Sequence, residues 1–425
     1  MTSFILKNCS LINGRADIDI KHGVSLGVGA DGLIKEIVSG NSTVESYSEE
    51  IDLNGCYLVP GIINAHAHLI ASGKPSIGFN KSTRILLKFL STGPGRKLAG
   101  NMIKRNITNA VNAGVTTIRS LGDPLYYDIA VRNELKDSGD AFPRLLTAGR
   151  LICASGGHGD MLTPLTADSP WECRKAVRMN DQHSVDVIKL ISTGGVTDAR
   201  KIGQAGCVHM TVEEIAAVCD EAHRRGLMVA CHAESSLGVK EALLGGVDTI
   251  EHGSELDRQM IDLFLKNPNS LRGYSAYIPT LSAPVRIMEN RKELTSWDNI
   301  KFANAEIVMK GQIKAVNQAV EAGVKIGCGA DSGVPFVSHY DVWNELRFLM
   351  EHAGLTAAGA LEVGTIATAE ILGIDGITGS LDVGKAADII VTADNPLEDL
   401  SALSKPRMVA AQGRLVRRPQ IKKAF

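Results

Sequence analysis

A chain of 425 residues with a formal net charge of −2 is too long for one small core and has no charge excess to recommend nucleic acid or an anionic membrane as partner. Aromatics are 4% of the residues and glycines number 43, which suits many tight strand-to-helix turns better than an aromatic-rich binding surface. The eight cysteines stand apart with no C-x-x-C pair, so reduced, mostly buried thiols in a cytoplasmic protein are expected.

Met1 to Asn8 lacks a basic segment followed by an apolar one, so no signal peptide is expected. No stretch approaches the roughly eighteen uncharged apolar residues of a membrane span. Up to residue 56 the chain reads as short strands (Phe4-Ile5-Leu6, Ser25 to Val28, Ile34 to Val38) with turn dipeptides at Asn13-Gly14 and Asp31-Gly32.

From Tyr57 the rhythm changes to short apolar strands alternating with amphipathic helices. Tyr57 to His68 reads as one apolar strand ending in His-x-His. The segment from Ile70 to Lys97, with its Gly, Ser and Lys, reads as a long loop and a lid or rim. A helix follows from Leu98 to Ala113. Strands two and three are expected at Thr116 to Leu121 and Arg144 to Ile152, with a helix between them from Leu125 to Ser138. Ser169-Pro170-Trp171-Glu172 opens a helix with Ser at the N-cap, Pro at N1 and Glu at N3. Strand four is Asp186 to Ile191, and Thr211 to Glu214 is a capping box. Strands five to eight are Leu227 to Cys231, Asp248 to Glu251, Ser275 to Leu281 and Val324 to Gly329. Eight strands alternating with helices predict an α/β fold, a (β/α)8 TIM-like barrel over 57–374. The last fifty residues are again β-rich. Residues 1–56 and 375–425 are therefore expected to form a small β-sandwich domain built from both chain termini.

In such a barrel the active site lies where strands end. His66 and His68 end strand one on the same side, since strand side chains alternate. His232 ends strand five, His252 strand six and Asp331 strand eight. Four imidazoles and a carboxylate at one mouth suit zinc or another borderline divalent ion. Lys189 sits in Val187-Ile188-Lys189-Leu190-Ile191, a run that reads as buried on both faces. An ammonium there is costly to desolvate. It needs either a carboxylate partner or a lowered pKa, and a neutral amine can take up CO2 as a carbamate.

This set resembles the amidohydrolase superfamily in its binuclear form. The likeness rests on His66, His68, Lys189, His232, His252 and Asp331. It also rests on the flanking runs Val59-Pro60-Gly61-Ile62-Ile63-Asn64-Ala65, Gly114 to Arg119 and Gly384 to Asp388. Gly156-Gly157-His158-Gly159-Asp160 and Ile278-Pro279-Thr280-Leu281 resemble the prolidase-like branch, which includes Xaa-Pro dipeptidases, carboxypeptidases releasing a C-terminal residue, and ochratoxin amidases. The resemblance implies two divalent metal ions, most simply Zn2+. His66, His68 and Asp331 would hold one and His232 and His252 the other, bridged by a CO2-derived carbamate on Lys189 and a hydroxide. It implies Asp331 as general base and acid, and His158 as binder of the carbonyl oxygen. It further implies a small-molecule substrate and a homo-oligomer.

Prolidases of this branch often carry Tyr directly after the strand-five His-Ala, where it helps hold the substrate carboxylate. Here that position is Glu234, which is suited to a basic substrate group or to an arginine such as Arg119. Tyr277, Tyr126, Tyr127 and His339 are further candidates for the pocket. His22, His183, His209, His223 and His352 lie outside the pattern. The leading expectation is hydrolysis of an amide or peptide bond in a small carboxylate-bearing substrate: a dipeptide, an N-acyl amino acid or a C-terminal residue. The alternative keeps the site and changes the substrate to a carbamate, urea, aryl amide or lactone. A mononuclear deaminase lacks the bridging lysine, so Lys189 argues against one.

Overall fold

The computed structural model describes residues 2–40, 45–75, 81–136 and 138–423, with the side chains of residues 81–84 and 161 left aside. Two sheet systems meet at Gly61. The run read as one strand from Tyr57 to His68 is two: Tyr57–Pro60 and Ile62–Ala67. Tyr57–Pro60 lies in a curled mixed sheet built from both ends of the chain, parallel to Phe4–Leu11 and antiparallel to Ile389–Thr392. Lys21–Val28 and Ile34–Ser39 extend this sheet on one side, and the hairpin Met408–Ala411 and Arg414–Val416 on the other. Phe4, Leu6, Leu26, Leu58, Ile389 and Val391 form its apolar core. The C-terminal hairpin turns at Gly413, whose φ of +77° and 2.2 Å clearance from Gly32 exclude a side chain.

At Gly61 the backbone N–H donates to Asp388 O (2.9 Å), and the chain passes into the barrel. The parallel strands are Ile62–Ala67, Val115–Ser120, Arg144–Thr147, Val187–Ile191, Met228–Ala233, Thr249–His252 and Ala276–Ile278. The eighth position, read as a strand from Val324 to Gly329, is irregular. It closes the ring through a bridge from Ile326 to Tyr277 and a hydrogen bond from Ala65 N to Cys328 O. Strand three is broken. Arg144–Thr147 pairs with strand two, Gly149 turns at φ +64°, and Ile152–Cys153 pairs with strand four.

The segment read as a long loop after His68 is largely helical: Lys81–Leu90, then Gly93–Asn112. Gly93-Pro94-Gly95 looks like a helix breaker. Pro94 instead occupies the first turn, where its missing N–H costs nothing, and Thr92 caps Gly95 N. Residues 76–80 of that segment lie outside the described residues. Both expected caps form: Ser169 accepts from Glu172 N, and Thr211 and Glu214 make a reciprocal box. All eight cysteines are free, and all but Cys207 are buried. Among the described residues, no helix is long and apolar enough to cross a membrane.

Candidate metal centre

His66 and His68 leave the first barrel strand on one side. Both aim Nε2 at Asp331 Oδ1, at 3.6 and 3.3 Å. These three residues could hold one metal ion. Asp331 has φ +57°, a conformation that L residues rarely adopt. Asn64 helps hold it, because its Oδ1 accepts from Ala330 N and its Nδ2 donates to Ser332 Oγ. Gly329 lets strand eight approach closely, since a Cβ there would sit 2.9 Å from that of His66.

His232, Glu234 and His252 form a second group able to hold a metal ion, from the ends of strands five and six. His252 is also left-handed at φ +72°. Its carbonyl accepts from Tyr277 Oη (2.6 Å), and its ring Nδ1 meets Thr280 Oγ1 (2.7 Å).

The bonds around the imidazoles settle which nitrogen is free. Thr280 Oγ1 donates to Pro279 O, so His252 Nδ1–H donates to Thr280 and leaves Nε2 as a lone pair. Gly194 O can only accept, so His232 donates Nε2–H and keeps Nδ1. Glu251 accepts His66 Nδ1–H at 2.8 Å, leaving its Nε2. Such outer partners orient ligating histidines. Burial pushes the pKa of His66, His232 and His252 well down, and neighbouring basic groups add to the effect. These shifts favour the neutral ring, the form that ligates.

Lys189 lies between the two groups on a strand buried along its whole length. Its Nζ has no hydrogen-bond partner. Burial lowers its pKa, although the charges of Glu251 and Asp331 oppose the shift. Burial also drives the Glu234 carboxyl well up, reinforced by Asp198 and Asp331, and Glu234 Oε2 is unpaired. For Asp331 burial again pushes upward, but His66, His68 and Lys189 outweigh it and hold the carboxyl at about 2. Two carboxyl groups, four imidazoles and an amine whose pKa burial lowers suit borderline divalent ions. The unpaired Lys189 Nζ, Glu234 Oε2 and Asp331 Oδ1 are the atoms such ions would engage.

The six residues expected to ligate metal all line one cavity of about 420 Å3, together with His158 and Glu234. His158 stacks on His232 at 4.7 Å, and its Nδ1 meets the Asp198 carboxylate at 2.9 Å. Burial alone would raise the Asp198 carboxyl, yet the His158 contact leaves it below its ordinary value. A Cβ on Gly195 would come within 2.4 Å of the His158 ring, so only glycine admits this packing. The rest of the wall is largely apolar, including Leu86, Leu90, Met102, Leu162 and Ile287.

Arg119 is not on that wall. It lies beneath the site, bonded to Ala65 O, Thr249 Oγ1 and Glu251, and does not pair with Glu234. Tyr277 is behind strand six, supporting His252. Tyr127 donates to Leu90 O, and Tyr126 stacks on His183. His339 donates to Ala71 O and braces the segment after His68. His209 packs beside Gly157, near the His158 loop. His22 bonds to Ser10 and His223 to Asp248, while His352 stacks on Phe348.

Sequence reasoning did not find Asn64, Asp198, Gly195 or the role of Glu251, and it did not group Glu234 with His232 and His252. One signal was available. Glu251 precedes His252 in a strand whose other residues are apolar or Thr, and a buried carboxylate needs partners.

Residues 57–416 match the model of the amidohydrolase family. An ochratoxinase of Aspergillus niger is 26% identical over 382 residues, which is 83% of this chain and 73% of the relative. A solved structure from Bifidobacterium longum, described provisionally as a prolidase, is 39% identical with a TM-score of 0.87, covering 99% of this chain and 96% of its own. A solved Xaa-Pro dipeptidase with methionine bound in its active site is 28% identical with a TM-score of 0.83, covering 98% and 100%.

Proposed function

The chain belongs to the amidohydrolase family and is a hydrolytic enzyme acting on carbon–nitrogen bonds, and from that premise we propose that it hydrolyses an amide bond in a small substrate with a bulky apolar part, using two divalent metal ions. His66, His68 and Asp331 would hold one ion and His232, His252 and Glu234 the other, with Lys189 joining them as a carbamate. The observation that carries this reading is the unpaired Lys189 amine lining the same cavity as both ligand groups. A neutral amine adds to CO2 by forming one N–C bond and releasing one proton, which turns an uncharged buried group into an anion.

When bound, the two ions polarise the scissile carbonyl and lower the pKa of a water molecule. The protein's own groups do the rest. Asp331 takes the proton of the attacking water and hands it to the leaving nitrogen as the C–N bond breaks. Its low pKa keeps it ionised, and so able to accept, at neutral pH. His158, held at Nδ1 by Asp198, presents the opposite edge of the ring to the cavity, where it would meet the carbonyl oxygen. The apolar wall excludes water and takes the substrate's side chain.

One substrate class is a dipeptide, as for the Xaa-Pro dipeptidase that this chain resembles. A second reading has a specific observation behind it. Among the described lining residues, Lys189 is the one lysine or arginine, while Asp123, Glu234 and Asp331 are acidic. A wall of that kind favours an uncharged substrate, such as an aryl amide, carbamate, urea or lactone, over one that brings its own carboxylate.

A panel of N-acyl amino acids, dipeptides, aryl amides, carbamates and lactones, assayed with the metal-loaded enzyme, separates these readings. Turnover of amides supports the proposal. Turnover confined to carbamates or lactones overturns it.

A further inference from the structure

The cavity holds a second set of buried polar atoms that no metal ion explains. Thr197 Oγ1, Trp297 Nε1 and both amide atoms of Gln312 line it, and none has a hydrogen-bond partner. An indole N–H only donates, so Trp297 cannot be a ligand. Gln312 lies on the helix Asn299–Ala322, where it interrupts an inward apolar stripe of Phe302, Ala305, Val308, Ala315 and Ala319. It is 1% exposed.

Three other amide side chains of the same helix show how unusual this is. Asn304 accepts from Ala205 N and donates to Lys201 O and Ile300 O. Asn317 donates to Ile313 O and His352 O, and Gln318 both accepts from and donates to Leu256. Gln312 lines the cavity and has both its amide donor and its acceptor unpaired. Burying such a pair without partners is costly, and a ligand group that donates and accepts side by side satisfies both atoms.

Resting on the amide-hydrolase reading, we infer that Gln312, with Trp297 and Thr197, forms a subsite for a second, uncharged amide group on the substrate: a carboxamide or peptide-type N–H and C=O beyond the scissile bond. A carboxylate only accepts, so it would leave Gln312 Oε1 unpaired and would add charge among neutral donors in an apolar wall. Trp297 and Thr197 supply further donors to the carbonyl of the bound amide.

The test is calorimetric binding of N-acetyl-L-phenylalaninamide and N-acetyl-L-phenylalanine to the metal-loaded enzyme, with turnover of both measured in parallel. The wild type is expected to bind the carboxamide about 10- to 100-fold more tightly. Gln312→Met, matched in shape, without a donor and with only a weak acceptor in its sulfur, is expected to bring that ratio close to one. Trp297→Phe, which removes one N–H, provides an independent variant and is expected to lower the ratio. Equal binding of the two compounds by the wild type overturns the subsite. So does an unchanged ratio in both variants, or no binding of either compound. A preserved ratio without turnover leaves the subsite standing and overturns amide hydrolysis. Turnover of both compounds without a ratio does the reverse.

Discussion

The terminal sheet and the barrel mouth are built by opposite rules. In the sheet, Phe4, Leu6, Leu26, Leu58 and Ile389 pack against each other, and turns fall on glycines such as Gly32 and Gly413, where positive φ is free of strain. At the mouth, His252, Thr280 and Asp331 carry positive φ without being glycine, Lys189 is buried with its amine unpaired, and Arg119 and Glu251 form a fully buried ion pair. One region keeps an apolar core and departs from local preference in the backbone at Asn8, Asn54 and Gln412. The other breaks several such preferences within a few residues, as expected where structure is held in place for chemistry.

That contrast can be broken from the mouth. Asp331→Asn keeps the shape of the side chain but cannot accept a proton, so turnover is expected to fall by about 10^3-fold with little change in melting temperature. A variant with near-normal turnover would remove Asp331 from the chemistry. The converse substitution is Leu26→Ala in the sheet core, which is expected to cost about 2–5 kcal/mol of stability by denaturant titration. Its kcat/KM per folded molecule is expected to match the wild type. A loss of activity at unchanged stability would show that the two regions are coupled.

Two smaller effects sharpen the picture of the ligand shell. Glu234→Gln is expected to weaken the ion held by His232 and His252 by on the order of 10- to 100-fold, read as metal retained through dialysis, while the ion at His66 and His68 stays. Equal loss from both positions would mean that Glu234 does not belong to one group. Glu251→Gln removes the carboxylate that fixes His66 Nδ1–H and leaves Arg119 without its buried partner. A loss at the lower end of that range is expected for the first ion, with a lower melting temperature.

The smallest effect concerns pH. Burial raises the Glu345 carboxyl to about 7, against hydrogen bonds from Leu281 N and Ser282. The folded state then holds this proton more tightly than the unfolded state, so the group's contribution to stability declines as pH rises from about 4.5 to about 7. The melting temperature of the wild type, taken relative to Glu345→Gln, should fall by a few degrees over that range and level off above it. A flat difference would place the Glu345 pKa at its ordinary value.

How much of this could be read from the sequence follows from which contacts are local. Strand alternation puts His66 and His68 on one side, and the caps at Ser169 and Thr211 depend on residues within one turn. The barrel and terminal sheet followed from the spacing of apolar runs. Asn64 meets Ala330 only once the ring closes, and Glu251 meets His66 only across the barrel, so neither segment identifies its partner. The segment from Ile70 to Lys97 was read as a loop for its Gly, Ser and Lys, although a proline such as Pro94 suits the first turn of a helix. Arg119, read as a partner for Glu234, and Tyr277, read as a candidate for the pocket, lie on strands bordering the site. The structure turns both away from the cavity, to support Glu251 and His252.

The account depends most on Lys189 joining two ligand groups into one centre. The direct measurement is divalent metal per chain, by elemental analysis, in the wild type and in Lys189→Ala, with turnover measured on the same preparations. The account predicts two ions per chain in the wild type, fewer than two in the variant, and loss of turnover with them. Two ions and full turnover in Lys189→Ala would contradict it.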